Sequence, residues 1–286
     1  MGKTNEKAAM ITKVSKIFCI IDPTTPEQRA LKRAAAIAAE SGAALHVYVC
    51  VPGQNNLPAE DRDDARAAEI ARHEAWLREM VRPLQEQGVS VAIEVESDDD
   101  WRSAIAPAAR RARADLIIKA SYRRTAIQRR LLKTSDWTLL RNSDCPVMFV
   151  KTDRVEPLSQ VLAAVNLAAE KPDHQALNDM VIEYSTMIAK ATGSELHAVN
   201  AYPGSLNFIH PPDLAKRVGT ERSRAHVGDA APEALISEVA EKLAQPLVVI
   251  GSLARKGLGG AVVGNTAERI LDAVDTDVIV LIRPRD

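Results

Sequence analysis

The feature that most restricts this chain is that it carries a second copy of itself. DLIIKASYRRTAIQRRLLKTSDWTLLRNSDCPVMFVK lies without a gap on PLVVIGSLARKGLGGAVVGNTAERILDAVDTDVIVLI, at an offset of 131 residues that sets Ala120 against Gly251, Lys133 against Gly264 and Val147 against Val278. SGAALHVYV lies on TGSELHAVN at an offset of 151, with His46 against His197, and Asp22 matches Asn166 at 144. A self-similar chain of 286 residues reads as two domains of one design. In each copy, apolar β-branched runs alternate with amphipathic helical stretches, the pattern of a parallel sheet flanked by helices.

The strand candidates are SKIFCIID, ALHVYVC, VSVAIEV, DLIIKA and CPVMFVK in the first copy, and LAAVNL, ELHAVNA, RAHV, PLVVIG and DVIVLI in the second. The offset rises by 7 and then falls by 20, so the second copy has a longer lead-in to its first helix and a shorter middle. The first copy's middle is a strong helix of Ala, Glu, Arg and Leu that ends near Gln87 with Gly88 as its cap, whereas the second has only PPDLAKRVG. TDRVEP at 152–157 is a short polar linker closed by a proline, which places the domains at 1–151 and 158–286.

Lys plus Arg number 37 and Asp plus Glu 38, so no global field draws the protein to nucleic acid or an anionic membrane. Aromatics are 3% of the chain, too few for a base-stacking platform. No apolar run approaches the ~18 residues of a membrane span, and the reading is a cytoplasmic protein. MGKTNE begins Met-Gly but has Glu6 where a myristoylation signal needs Ser or Thr. Cys19, Cys50 and Cys145 sit in apolar strand-like contexts without paired spacing and read as buried reduced thiols.

Three features, GNTAERIL after a Gly-rich loop, TSDWTLLRNSDCPVMFVK in the first half and a first strand ending in Asp in CIIDPT, give the chain its family likeness. Over nearly its whole length it resembles the tandem-domain universal stress proteins. The resemblance implies two tandem Rossmann-like domains of the adenine nucleotide alpha hydrolase type, each a five-stranded parallel sheet in the order 3-2-1-4-5. It implies that the fifth strands, CPVMFVK and DVIVLI, meet across an internal pseudo-two-fold, and it leaves a homodimer open. Members that bind ATP carry G-x2-G-x9-G-[S/T], whose loop and helix start hold the phosphates; others are known as ligand-free stress-response proteins.

A strand ending in Gly, a flexible loop and a helix start together offer backbone N–H groups and a positive helix end to an anion. Here the second copy reads Gly251-x2-Ala254-x9-Gly264-Asn265. Ala254 stands where the pattern has Gly, and Asn265 where it has Ser or Thr, with Thr266 beside it. Ser252 and Arg255 complete the candidate set, Arg255 and Lys256 supplying positive charge or lying solvated on the loop. The glycines at 257, 259 and 260 suggest a mobile segment. The first copy reads Ala120-x2-Arg123-x9-Lys133-Thr134 and lacks the cradle altogether. SYRRTAIQRRLLK holds five basic residues, read as a solvated face or a point-charge patch.

The family also places an Asp at the end of the first strand, near the nucleoside. Asp22 keeps it in the copy without glycines, while Asn166 replaces it in the copy that has them, retaining hydrogen-bonding capacity without charge. Nucleotide binding is therefore expected in the second domain, at Asn166, Gly251, Ser252, Ala254, Arg255, Gly264, Asn265 and Thr266. The alternative is that Gly251 and Gly264 are turn residues of a nucleotide-free scaffold that binds another small ligand or a protein partner.

Little else suggests chemistry. His46 and His197 share a repeat position within strands and read as structural; His73 is placed on a long exposed helix; His174, His210 and His226 have no metal-ligand spacing. In ESDDD at 96–100, Asp99 or Asp100 reads as a helix N-cap. Trp76, Trp101 and Trp137 read as helix packing. No nucleophile with a matched base is visible, so no enzyme, metal or required cofactor is expected; ATP or another adenine nucleotide is the candidate ligand.

Overall fold

The structure is a computed structural model that describes residues 14–53, 58–122, 135–153, 157–204, 208–257, 260–262 and 265–284; at 254–257, 260–262, 265 and 284 only the backbone is described. Packing divides the described residues into two compact units, the first holding 14–121 and 135–150 and the second Tyr122 and the residues from Lys151 onward.

The first unit contains β1 (Lys16–Ile20), α1 (Arg29–Ser41), β2 (Ala44–Pro52), α2 (Ala59–Glu86), β3 (Val91–Asp98), α3 (Trp101–Arg111), β4 (Leu116–Ala120), α4 (Ser135–Asn142) and β5 (Val147–Val150). Its strands pair in parallel in the order β3-β2-β1-β4-β5. β1, β4 and β5 are apolar runs buried on both faces, as helices on both sides of a parallel sheet require.

The second unit contains β6 (Gln160–Ala164), α5 (Pro172–Thr192), β7 (Glu195–Ala201), α6 (Pro211–Val218), a 3₁₀ turn (Arg222–Arg224), β8 (Ala225–Gly228), α7 (Pro232–Lys242), β9 (Leu247–Gly257), β10 (Gly260–Val262), α8 (Asn265–Ala273) and β11 (Val278–Pro284). Its parallel order is β8-β7-β6-β9-β11, the same 3-2-1-4-5 arrangement. The register repeats as well: Ile17 pairs with Leu116 and Val161 with Leu247, while Ile117 pairs with Val147 and Val248 with Val278. The ungapped alignment at 131 is thus a true superposition of strands.

The two offset changes have distinct physical outcomes. α5 has 21 residues against 13 in α1, and both end at a left-handed glycine cap, Gly193 and Gly42, so the extra turns lie at the N-terminal end of α5. Pro172 occupies the first turn there, where its missing N–H is harmless. The short middle is α6, eight residues against 28 in α2: a stunted helix rather than a lost one. α2 ends at Glu86, followed by Gly88 at φ 88°.

Three expectations are corrected, and a fourth, the N-cap at Asp100, holds in position alone. The segment after Gly251 is not an open loop: β9 continues to Gly257 and folds back on β10, with Arg255 opposite Val262 and Gly257 opposite Gly260. His73 is buried against the chain, its Nδ1 3.0 Å from the Glu69 carbonyl. Asp100 holds the N-cap position of α3, but its side chain makes no capping bond; the Asp98 carboxylate accepts from the Asp100 N–H instead. Cys145 is half-buried where Cys19 and Cys50 are buried. The basic stretch at 123–134 lies outside the described residues, as do 154–156 of the linker.

Candidate functional site

In a doubly wound sheet the crevice opens where neighbouring strands send their crossovers in opposite directions. In the second unit these are β6, which crosses to β7, and β9, which crosses to β11. A cavity of about 590 Å³ lies there, at the C-terminal ends of both strands, roofed by the first turns of α5, α7 and α8.

Asn166, Gly251, Ser252 and Thr266 all line this cavity. They come from three separate parts of the chain, and the fold brings them together. Ala254 lies further along β9, in register with Pro284, and Arg255 faces Val262 in the hairpin; the side chains of both lie outside the described residues. Asn265 begins α8, with only its backbone described, and Gly264 lies outside the described residues.

The loop after β6 is held by two buried amides. Asn178 Oδ1 accepts from the Asn166 N–H at 3.0 Å and its Nδ2 donates to the Asn166 carbonyl at 2.8 Å. Asn200 Oδ1 accepts from the Leu167 N–H at 2.8 Å. These bonds use the backbone, leaving the exposed Asn166 side chain at the cavity wall. In the first unit Gln28 does what Asn178 does, clasping the Asp22 N–H and carbonyl. There the Asp22 carboxylate turns onto Thr24, accepting from its N–H and its hydroxyl. Asn178, Asn200 and Gln28 were not legible as site residues, because the α5 extension takes Asn178 out of linear register with Gln28.

Gly251 has a packing role. A Cβ built on it would lie 2.5 Å from Leu177 Cγ, so the Leu177 side chain rests against the bare backbone. Leu177 and His174 both belong to the N-terminal extension of α5 and both line the cavity. Arg269, also in the lining, holds Glu233 with Nε–Oε1 at 3.1 Å. Two polar atoms of the lining are buried without a hydrogen-bond partner, Ser252 Oγ and His174 Nδ1.

The paired histidines lie elsewhere. His46 Nε2 is 2.7 Å from Glu94 Oε2, and Arg111 reaches Glu94 from α3. In the second unit the strand position of Glu94, opposite Tyr48, falls to His226, opposite Val199. His197 Nδ1 therefore meets His226 Nε2 at 3.2 Å, the rings stacked at 14°. Burial lowers the pKa of both, and for His226 the neighbouring His197 adds to the effect. No cluster of three His, Cys, Asp or Glu suited to a metal ion occurs among the described residues. No described helix is long and apolar enough to cross a membrane.

These features define a class: a two-unit, doubly wound α/β protein with an open ligand-sized crevice at the switch point of its second sheet. Residues 13–151 and 212–281 match the model of the universal stress protein family. The chain belongs to that family. It is 28% identical to universal stress protein E of Salmonella typhi and to that of Escherichia coli K12, over 93% of this chain and 93% of each of them. A crystal structure of a functionally unknown protein from Pseudomonas aeruginosa PAO1 is similar at TM-score 0.75 and 28% identity, covering 96% of this chain and 94% of that one. A universal stress protein from Archaeoglobus fulgidus DSM 4304 shares the fold at TM-score 0.74 and 17% identity, covering 96% of this chain and 98% of that one.

Proposed function

We propose that the protein acts by binding rather than turnover, and that the crevice of its second unit takes an adenine nucleotide. The observation that carries this reading is the convergence of Asn166, Gly251, Ser252 and Thr266 on one cavity of about 590 Å³, at the place where such sheets hold ligands. Asn166 offers an uncharged donor and acceptor to a nucleoside, and the start of α8 offers backbone N–H groups to phosphate. Titration calorimetry with ATP and Mg²⁺ tests it. Saturable heat that Asn166→Ala diminishes supports the reading, and no heat at near-millimolar nucleotide overturns it.

A second reading has its own support. Leu177 fills the space beside Gly251, and Arg269, the one guanidinium of the described lining, is engaged by Glu233. Both favour a nucleotide-free scaffold that takes another, less charged small ligand in the same cavity. Mass spectrometry of small molecules released from protein purified under native conditions separates the two.

A further inference from the structure

Counted back from the left-handed glycine caps, Arg29 at the start of α1 stands level with Met180, so the turns that α5 adds are residues 172–179. Three residues of this addition line the cavity: His174, Leu177 and Asn178. Spaced three and four positions from His174, the other two share its face of the helix. Both serve the fold, Leu177 by resting on Gly251 and Asn178 by clasping the Asn166 loop. His174 differs. Its ring is half-buried, and its Nδ1 is shut from solvent without a hydrogen-bond partner, an arrangement that is destabilising until a partner is supplied.

The crevice floor carries no charge. In the first unit Lys119 Nζ and Ser121 Oγ meet the Asp136 carboxylate there, at 2.7 and 2.8 Å. At the offset of 131 these residues become Ile250, Ser252 and Ala267, all in the cavity lining, so the second unit's floor keeps a hydroxyl and loses both charges. The walls are set by the sheet. β6 and β9 cross over in opposite directions, and right-handed crossovers then put α5 on one face and α8 on the other. α5 packs on β6 and β9, whereas α8 packs with α7. His174 thus lines the crevice on the side opposite the start of α8.

We propose that His174 is a ligand-binding residue whose Nδ1 meets a sugar hydroxyl of the nucleotide. The assignment rests on the crevice being a nucleotide site and adds the residue that reads the sugar. With phosphate at the start of α8, the part of the ligand across the crevice, beside Asn166, is the nucleoside. A hydroxyl both donates and accepts, so it satisfies Nδ1 in either tautomer, whereas each polar atom of adenine does only one. It also brings no charge, in a lining whose Arg269 is already held by Glu233. A half-turn about the Cβ–Cγ bond, a soft torsion, exchanges the Nδ1 and Cδ2 edges of the ring and presents the nitrogen to the cavity. The first unit has no counterpart, because α1 begins after this turn.

Titration calorimetry of ATP, 2′-deoxy-ATP and 3′-deoxy-ATP, each with Mg²⁺, into the full chain tests it, in wild type, His174→Phe and His174→Ala. Phe keeps a ring and removes its nitrogens; Ala introduces nothing that could clash. Wild type is expected to bind ATP about threefold to tenfold more tightly than one of the two deoxy forms. Both variants are expected to loosen ATP by the same factor and to leave that deoxy form unchanged, so that the discrimination vanishes. Equal loosening of all three nucleotides overturns the proposal, since a residue that only shapes the wall acts on them alike. Affinity for ATP that neither variant changes overturns it, and so does a wild type that binds all three equally; in these cases the nucleotide reading stands. Binding of none of the three by wild type overturns the nucleotide reading and the role of His174 together.

Discussion

Leu177 stands in the space that any side chain at position 251 would need, its Cγ 2.5 Å from where a Cβ on Gly251 would lie. Gly251→Ala therefore forces Leu177 off its rotamer or the strand off its line, an overpacking worth about 1–3 kcal/mol. Leu177→Ala in the same chain is expected to recover much of that loss. A double-mutant cycle in urea measures the coupling, and additive effects would show that the two residues do not share the space.

Asp136 is the electrostatic anchor of the first unit's floor. Asp136→Ala leaves the Lys119 ammonium, with 13% of its side chain exposed, without its counter-ion, and is expected to cost about 3–5 kcal/mol. Trp76, Trp101 and Trp137 all lie in the first unit, so tryptophan fluorescence during denaturation reports its unfolding. The midpoint should fall in the variant, and an unchanged midpoint would refute the anchoring role.

Asn178 makes the loop after β6 rigid through both ends of its amide. Asn178→Ala strips a partner from the Asn166 N–H and carbonyl, a loss of about 1–3 kcal/mol. Hydrogen exchange at the Asn166 amide should accelerate, with the amides of β9 left protected. Uniform acceleration across the second unit would instead mean global destabilisation.

The histidine pair makes stability depend on pH in a stated direction. His197 and His226 both have folded pKa values lowered from 6.5, chiefly by burial, with Glu195 near His197 opposing the shift and Arg224 and Lys242 supporting it. The unfolded chain then binds protons more readily, so the stability is fully present above about pH 6.5 and is lost as pH falls through the lowered values. Urea midpoints between pH 7.5 and 5 should decline. His226→Glu, which restores the carboxylate that Glu94 supplies to His46, should flatten the decline.

Burial holds the thiols protonated: Cys50 is pushed up to about 11 and Cys145 to about 12, with Cys19 raised by the same cause. A disulfide reagent at pH 7.5 is expected to leave the native protein nearly untouched and to titrate all three thiols after denaturation. Rapid reaction of the native protein would contradict this packing.

The repeat makes the architecture legible in the sequence itself. Apolar runs and helical stretches in two matching sets marked five parallel strands in each unit, and the offsets of 131, 144 and 151 marked where the copies diverge. They could not state the form of each divergence. The added residues before α5 became extra helical turns, and the missing ones left α6 rather than a loop. A seven-residue insertion has the same length whether it coils or winds, and only its packing against β6 and β9 selects the helix.

The site was half legible for the same reason. Asn166, Gly251, Ser252 and Thr266 could be named from local motifs, since strand ends and helix starts are written in adjacent residues. That β9 would run past Gly251 into a hairpin depended on a partner strand, and glycines are compatible with either outcome. That Leu177 would rest on Gly251, that Asn178 would clasp Asn166, and that Ser252 would stand unmet depended on contacts across the fold. The exchange of Lys119, Ser121 and Asp136 for Ile250, Ser252 and Ala267 was written in the repeat all along. Sequence alone thus set the copies and their strands, because hydrophobic periodicity is local. Tertiary structure decided which polar groups are satisfied and which line the crevice, because hydrogen-bond partners are chosen by proximity in space.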